Sequence, residues 1–268
     1  MYTNLTIKKL PNSEVEIKGD IPFEEIIIHK KNVLRHASEH IKIDGFREGH
    51  IPEKILEKHI GEMTLLAEMA EMAITEAYPK IIYEHKIFPI SRPNITFTKL
   101  ATNNPLGFII NITVMPEIKL PDYKEIAKNE NKKTKPDRLL LLEAIIKETE
   151  MEVPNILIES ELNKMIEQLK AEIAGMGGTL EKYLEHAKKT EKEMRNAWNT
   201  DAKKRVKIQL ILNKISFEEK IKTSKEEIEK EVIKIMAQYK DANPDRVKDY
   251  VEMILVNEKV LKFLEEQK

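Results

Sequence analysis

Residues 43–61 read IDGFREGHIPEKILEKHIG. Within them Phe46 and Arg47 stand side by side between Gly45 and Gly49. A phenylalanine left fully in water costs about 1–2 kcal/mol, a cost that makes sense where a partner buries the ring. The guanidinium of Arg47 can hold a phosphate or a carboxylate through two parallel hydrogen bonds. Gly45 and Gly49 permit a tight, exposed turn, and Pro52 suits the first turn of a helix. This chemistry is recognition of a partner; the competing reading folds Phe46 back onto its own helices.

Catalytic chemistry finds little support. The chain has no cysteine, which excludes disulfides, thiol catalysis and Cys-ligated zinc. GMGG at 175–178 lacks the preceding strand and the Lys-Ser/Thr of a phosphate loop and reads as a helix stop. His36 and His40 have a zinc-compatible i, i+4 spacing but no acidic residue between them in the metalloprotease arrangement, so a solvated or partly packed pair is expected. The glutamate pairs 24–25 and 218–219 read as solvated helix faces. No catalytic residue, metal or cofactor is expected. Met63, Met69 and Met72 read as core, Trp198 as a buried anchor, and KKTKPDR at 132–138 as solvated linker rather than a nucleic-acid contact.

The elements that must position the Phe-Arg loop follow from periodicity. Leu5 and Ile7, then Val15 and Ile17, alternate with polar residues about a PNS turn and predict a hairpin. Phe23, Ile27, Leu34, Ala37 and Ile41 recur at helical spacing, with an interruption near Lys30 and Lys31 and an end at Gly45. Pro52 opens a short helix that stops at Gly61. Leu66, Ala70, Ala73, Ala77 and Ile81 mark a longer helix that Pro79 should kink or restart. NITFTKL and GFIINITVMP predict two more strands, with Phe108, Ile110, Ile112 and Val114 on one face. Residues 1–116 thus predict a small α+β domain with helices beside an antiparallel sheet. Residues 117–135 are polar, without a sustained apolar period, and predict an extended linker.

From residue 136 to 268 the pattern is helical. Leu139, Leu142 and Ile146 begin it, and Ile158, Leu162, Met165, Leu169 and Ile173 form one stripe. A helix of about 30 residues follows from near Thr190. Ser224 with Glu227 is a capping-box signature, and Asn243-Pro244 opens the last helix. With only one or two apolar positions per turn and charged outer faces, these helices predict arms rather than a thick core. Grooves between such arms, lined by Leu, Ile and Met, suit variable apolar guests. Met165, Leu169, Ile173, Met176, Tyr183 and Tyr239 are the candidate lining.

Charged residues make up 34% of the chain and the formal net charge is −1, so no overall field favours nucleic acid or an anionic membrane. No signal peptide or membrane span is apparent, which predicts a soluble, cytosolic protein.

The segment IKIDGFREGHIPEKILEKHIG resembles the ribosome-docking signature of trigger factor, a bacterial chaperone family. Gly45, Phe46, Arg47, Gly49 and Pro52 match the family's Gly-Phe-Arg-x-Gly-x-x-Pro loop position for position. The order of elements around it, the closing VMPEIKLPDY, and EVPNILIESELNKMIEQL at the start of the first arm are similar too. The resemblance implies an elongated molecule: an α+β ribosome-binding tail domain joined to an all-α domain with helical arms. It implies partners as well: a ribosomal protein and rRNA near the exit tunnel, unfolded or nascent polypeptides, and a possible homodimer, with no membrane. Gly45 to Gly49, with His50 and Pro52, would form the ribosome-binding loop.

Two departures stand out. Family members carry an FKBP-like prolyl isomerase domain between tail and arms, and no stretch here could supply it, so no isomerase activity is expected. Glu48 and His50 replace two family cations, and residues 1–116 carry 14 Lys+Arg against 15 Asp+Glu, which weakens attraction to rRNA. The expected function is an ATP-independent holdase docking near the exit tunnel. The alternative is a dedicated assembly or adaptor protein that grips one folded partner, with weak or no ribosome binding.

Overall fold

The computed structural model describes residues 1–47, 49–133, 137–239 and 242–267. They form two compact units, Met1–Met115 and Pro116–Lys268.

In the first unit strands β1 (Thr3–Leu10) and β2 (Glu14–Ile21) precede helices α1 (Phe23–Ile27), α2 (Lys30–His40), α3 (Glu53–Ile60) and α4 (Glu62–Glu84). Strands β3 (Asn94–Lys99) and β4 (Leu106–Thr113) close it. The sheet is antiparallel in the order β1-β2-β4-β3. Its pleat puts Val15, Ile17, Ile21, Leu106, Phe108, Ile110 and Ile112 on one face, all buried. Against that face lies α4, whose Ala70, Ala73 and Ala77 are buried and small enough to let the helix approach closely.

Local expectations at three points give way to packing. The helix before the loop ends at His40 rather than Gly45, because Ile41 turns extended (ψ 133°) and directs Ile41 and Ile43 onto the core. Helix α4 runs through Pro79 as one element; Ala77 and Ile81, both fully buried, hold the chain on either side of the lost N–H. Of the three methionines assigned to the core only Met69 is buried, while Met63 and Met72 are exposed.

The second unit begins with β5 (Ile118–Lys119) and α5 (Tyr123–Lys133). The expected extended linker is therefore largely helix: Asp122 Oδ1 accepts the Glu125 N–H at 3.0 Å, and Tyr123 and Ala127 enter a core. Helix α6 (Arg138–Glu148) and β6 (Glu150–Met151) follow, β6 pairing with β5 to add a small ribbon to an otherwise helical unit. Then come α7 (Asn155–Gly175), α8 (Leu180–Ala187), α9 (Glu191–Glu218), α10 (Lys225–Gln238) and α11 (Pro244–Glu265). Capping boxes open α9 at Thr190/Glu193 and α10 at Ser224/Glu227, and Asn243 caps α11. Helix α6 buries Leu141, Leu142 and Ile145 and leaves Leu139 out, one residue off the expected stripe.

Its hydrophobic interior is divided. One cluster joins α5, α6, the end of α9 and the end of α11 around Ile145, Ile211, Ile215, Val260 and Leu264. A second joins α7 to the middle of α9 through Leu162, Ala202 and Val206. A third, Ile166, Ile173, Leu180 and Met194, closes α7, α8 and the start of α9. Trp198 is half-buried and packs on both of the latter two.

Polar contacts tie the first cluster together. Arg138, expected as a solvated linker cation, grips Glu258 with both terminal nitrogens at 2.8 Å and donates from Nε to Glu265 at 2.7 Å. Its neighbours Glu265 and Glu258 hold its proton more tightly than usual. The Asn131 amide nitrogen lies 3.0–3.1 Å from the Leu264, Glu265 and Gln267 carbonyls, capping the end of α11. Tyr123 donates to Glu219 at 2.6 Å, and Lys124 pairs with the same oxygen at 2.8 Å. The hydrogen bonds from Lys124 and Tyr123 lower the Glu219 carboxyl below its usual range, while burial and Glu219 raise the Tyr123 hydroxyl.

Candidate functional site

The Phe-Arg loop occupies the connection between α2 and α3. Ile41 and Ile43 lean on the core while Lys42 and Asp44 face outward. Phe46 N–H donates to the Ile43 carbonyl at 3.1 Å, closing a tight turn. That turn needs a left-handed residue, and Gly45 has φ +87°. Gly49, at φ +78°, swings its N–H back to the Ser38 carbonyl on α2 at 2.8 Å. A Cβ at either glycine would meet nothing within 4 Å, so the requirement there is conformational rather than steric.

The far foot is equally defined. His50 N–H donates to the Arg47 carbonyl at 3.0 Å, and buried Ile51 anchors the chain. Pro52 then opens α3, its carbonyl accepting from Ile55 at 3.0 Å and Leu56 at 3.1 Å. Between these feet Arg47 is exposed and Phe46 is 39% exposed. Glu48 lies outside the described residues. The result is a short tip presenting an aromatic ring and a guanidinium on a backbone held at both ends, suited to seating on an apolar and acidic or phosphate-bearing surface.

The candidate apolar lining of the second unit is only partly surface. Ile173 is buried in the α7–α8–α9 cluster, where Ile166, Leu180 and Met194 surround it. Met165 and Leu169 are half-buried against neighbouring clusters. Met176, in the turn after α7, is 81% exposed, and Tyr183 and Tyr239 are exposed. The structure also exposes apolar side chains outside that candidate lining: Phe217 on α9, Ile233 on α10, and Tyr250 and Ile254 on α11. Apolar adjacency gives no signal for them, since the consecutive Leu141 and Leu142 are both buried while Ile233, beside half-buried Val232, is exposed.

Among the described residues no group of three or more His, Asp or Glu is arranged to hold a metal ion. The His36 and His40 rings sit edge to face at 4.8 Å and are both exposed. No helix of the described residues is long and apolar enough to cross a membrane.

Two family models match in tandem: the bacterial trigger factor protein over residues 3–138 and the bacterial trigger factor C-terminus over residues 122–268. The chain belongs to the trigger factor family. The two matches overlap, so no internal stretch is left for an isomerase domain between tail and arms. Similar curated proteins include trigger factor of Rhodococcus opacus (strain B4), 30% identical over 122 residues, which is 46% of this chain and 26% of the relative. Trigger factor of Mycolicibacterium vanbaalenii is 32% identical over 117 residues, 44% of this chain and 25% of the relative. The aligned part is thus about a quarter of the length of the curated trigger factors that it matches. A solved structure described as promiscuous substrate recognition in folding and assembly activities of the trigger factor chaperone superposes with a TM-score of 0.66. It covers 98% of this chain and 99% of its own at 14% identity, which shows a shared fold.

Proposed function

We propose that this trigger factor relative is an ATP-independent holdase that docks near the ribosomal exit tunnel through residues 45–52. Its arms shelter apolar segments of unfolded chains. The carrying observation is the loop: Phe46 and Arg47 stand outward while the Gly49–Ser38 hydrogen bond and buried Ile51 hold the backbone beneath them. These contacts fix the feet of the loop before any partner arrives, which lowers the entropic cost of docking.

The client surface in this reading is the exposed set Met176, Tyr183, Phe217, Ile233, Tyr239, Tyr250 and Ile254, with half-buried Met165 and Leu169 at its margin. Ile173, being buried, supports the arm from within. Scattered apolar contacts favour weak, distributed binding; a micromolar complex is about −8 kcal/mol. Release needs no nucleotide, because a client that folds hides the same apolar surface internally. The chain carries no isomerase domain, so the chaperone acts without prolyl isomerization.

Two assays test the two halves. Co-sedimentation with ribosomes should be lost in a Phe46→Ala, Arg47→Ala variant and retained in an Ile233→Ser, Tyr250→Ser variant. Suppression of aggregation of several unrelated unfolded proteins should show the opposite dependence. Recovery of one stoichiometric folded partner, with no effect on unfolded proteins, would replace the holdase with an adaptor.

A further inference from the structure

His36 and His40 stand near the end of α2 and take no part in the docking tip or the arm surface. Spacing alone reads them as a solvated pair. The structure adds that the two exposed imidazoles touch, with ring centres 4.8 Å apart. Residues four apart on a helix share one face, so a single ion could meet both rings.

The separation is the one that a shared metal ion requires. A metal about 2.1 Å from one nitrogen of each ring lies about 3.2 Å from each ring centre, so at bond angles of about 90–110° the centres stand roughly 4.5–5.2 Å apart. The observed 4.8 Å falls inside that window, and little rearrangement is needed to ligate one ion. Helix α2 ends at His40, where the negative end of its dipole favours a cation. The fixed charges around the pair balance, Arg35 and Lys42 against Glu39 and Asp44. Arg35 and Glu39 line the groove between α2 and α3. Among the described residues no third His, Asp or Glu completes a ligand set, so the pair makes an open, exchangeable site rather than a closed structural one.

The backbone joins this pair to the docking loop. Ser38, between the two histidines, is buried, and its carbonyl accepts the Gly49 N–H at 2.8 Å. The histidines and the loop therefore share one anchor on α2.

We propose that His36 and His40 form a two-point site for a divalent late transition metal ion of the class Zn²⁺, Ni²⁺ and Cu²⁺, and that the two charges it adds strengthen the loop's seating on the ribosome. Imidazole nitrogen suits these ions, whereas Mg²⁺ and Ca²⁺ seek oxygen. The metal site stands on the geometry of α2 alone; its effect on docking rests on the proposed function.

Titration calorimetry of the full chain with Ni²⁺ or Zn²⁺ should show one tightest equivalent that Mg²⁺ does not reproduce. His36→Gln and His40→Gln should each weaken it roughly a hundredfold, because the second imidazole acts at high effective concentration, with circular dichroism unchanged. His59→Gln with His186→Gln, both exposed and elsewhere in the fold, should leave it intact. The same Ni²⁺ affinity after loss of both His36 and His40 would overturn the site. For the link to docking, ribosome co-sedimentation is measured at constant Mg²⁺ with and without Zn²⁺. Zn²⁺ should tighten the parent about fivefold, the worth of one or two surface ion pairs, and should not affect the His36→Gln, His40→Gln protein. Zn²⁺ bound by the histidines with no change in ribosome affinity, in a parent whose docking needs Phe46 and Arg47, would overturn the link. A parent that fails to bind ribosomes with or without Zn²⁺ would strike the docking reading and the link together, and leave the metal site to the calorimetry.

Discussion

Replacing Phe46 by alanine offers the sharpest test of the docking loop. Phe46 as a residue is 39% exposed, which for an aromatic of about 200 Å² leaves at most roughly 80 Å² for a partner to cover. As about two fifths of the roughly 1.5–3 kcal/mol for fully burying such a side chain, that burial contributes about 1 kcal/mol, or roughly a fivefold change in affinity. The fold itself should tolerate the change, since Gly45, Gly49, Ser38 and Ile51 hold the backbone without help from the ring. The measurement is a co-sedimentation titration against purified ribosomes, with circular dichroism to confirm an unchanged fold. Arg47→Ala removes a charge-assisted hydrogen bond, about 1.5–3 kcal/mol if the partner group is left unpaired, and its loss should shrink with added salt. The Phe46→Ala loss should be nearly salt-independent, which separates the two contributions. A Phe46→Ala protein that binds ribosomes within about threefold of the parent would refute the claim that the ring seats on a partner.

Three further outcomes follow from the same geometry. Gly49→Ala puts a side chain at φ +78°, at a cost of about 1–2 kcal/mol; ribosome co-sedimentation should fall with Phe46 and Arg47 both present, and unchanged binding would show that the loop's backbone form is irrelevant. Leu264→Ala empties a fully buried position where α5, α6, α9 and α11 meet and should cost about 2–5 kcal/mol; the melt of the second unit should drop by roughly 5–15 °C, and an unmoved melting temperature would contradict that packing. Glu219→Gln tests the Tyr123–Lys124 clasp: the folded-state carboxyl lies below its ordinary value, so its stabilisation is present above the usual carboxylate range and is lost as pH falls through the folded value. The parent should therefore be modestly more stable than the variant near neutral pH, with the gap closing in acid, and a gap that widens in acid would contradict the assignment.

The loop was legible because its determinants are local. Two glycines, a proline at a helix start and an aromatic-cation pair lie within eight residues, and each constrains its own backbone or its own exposure. The same holds for the sheet alternation around Phe108 and Ile110, the Ser224/Glu227 capping box and the Asn243-Pro244 helix start. Helix α5 was missed for the opposite reason. Its segment is polar, with Tyr123 and Ala127 as its fully packed apolar positions, and both are covered by residues far along the chain. Asn131 and Arg138 likewise look like linker residues until α11 is beside them, their partners lying 120 to 136 positions away.

Sequence alone determined the family, the two-part organisation and the glycine-bracketed turn that exposes Phe46 and Arg47, because short-range patterns of apolar period, glycine and proline encode backbone states directly. It could not separate stripe residues that pack from those that stay exposed. Ile173 and Met176 sit three positions apart, yet one is buried under α8 and α9 and the other stands 81% in solvent. That choice belongs to the tertiary structure, since burial depends on which neighbouring helices arrive and which flank they leave uncovered.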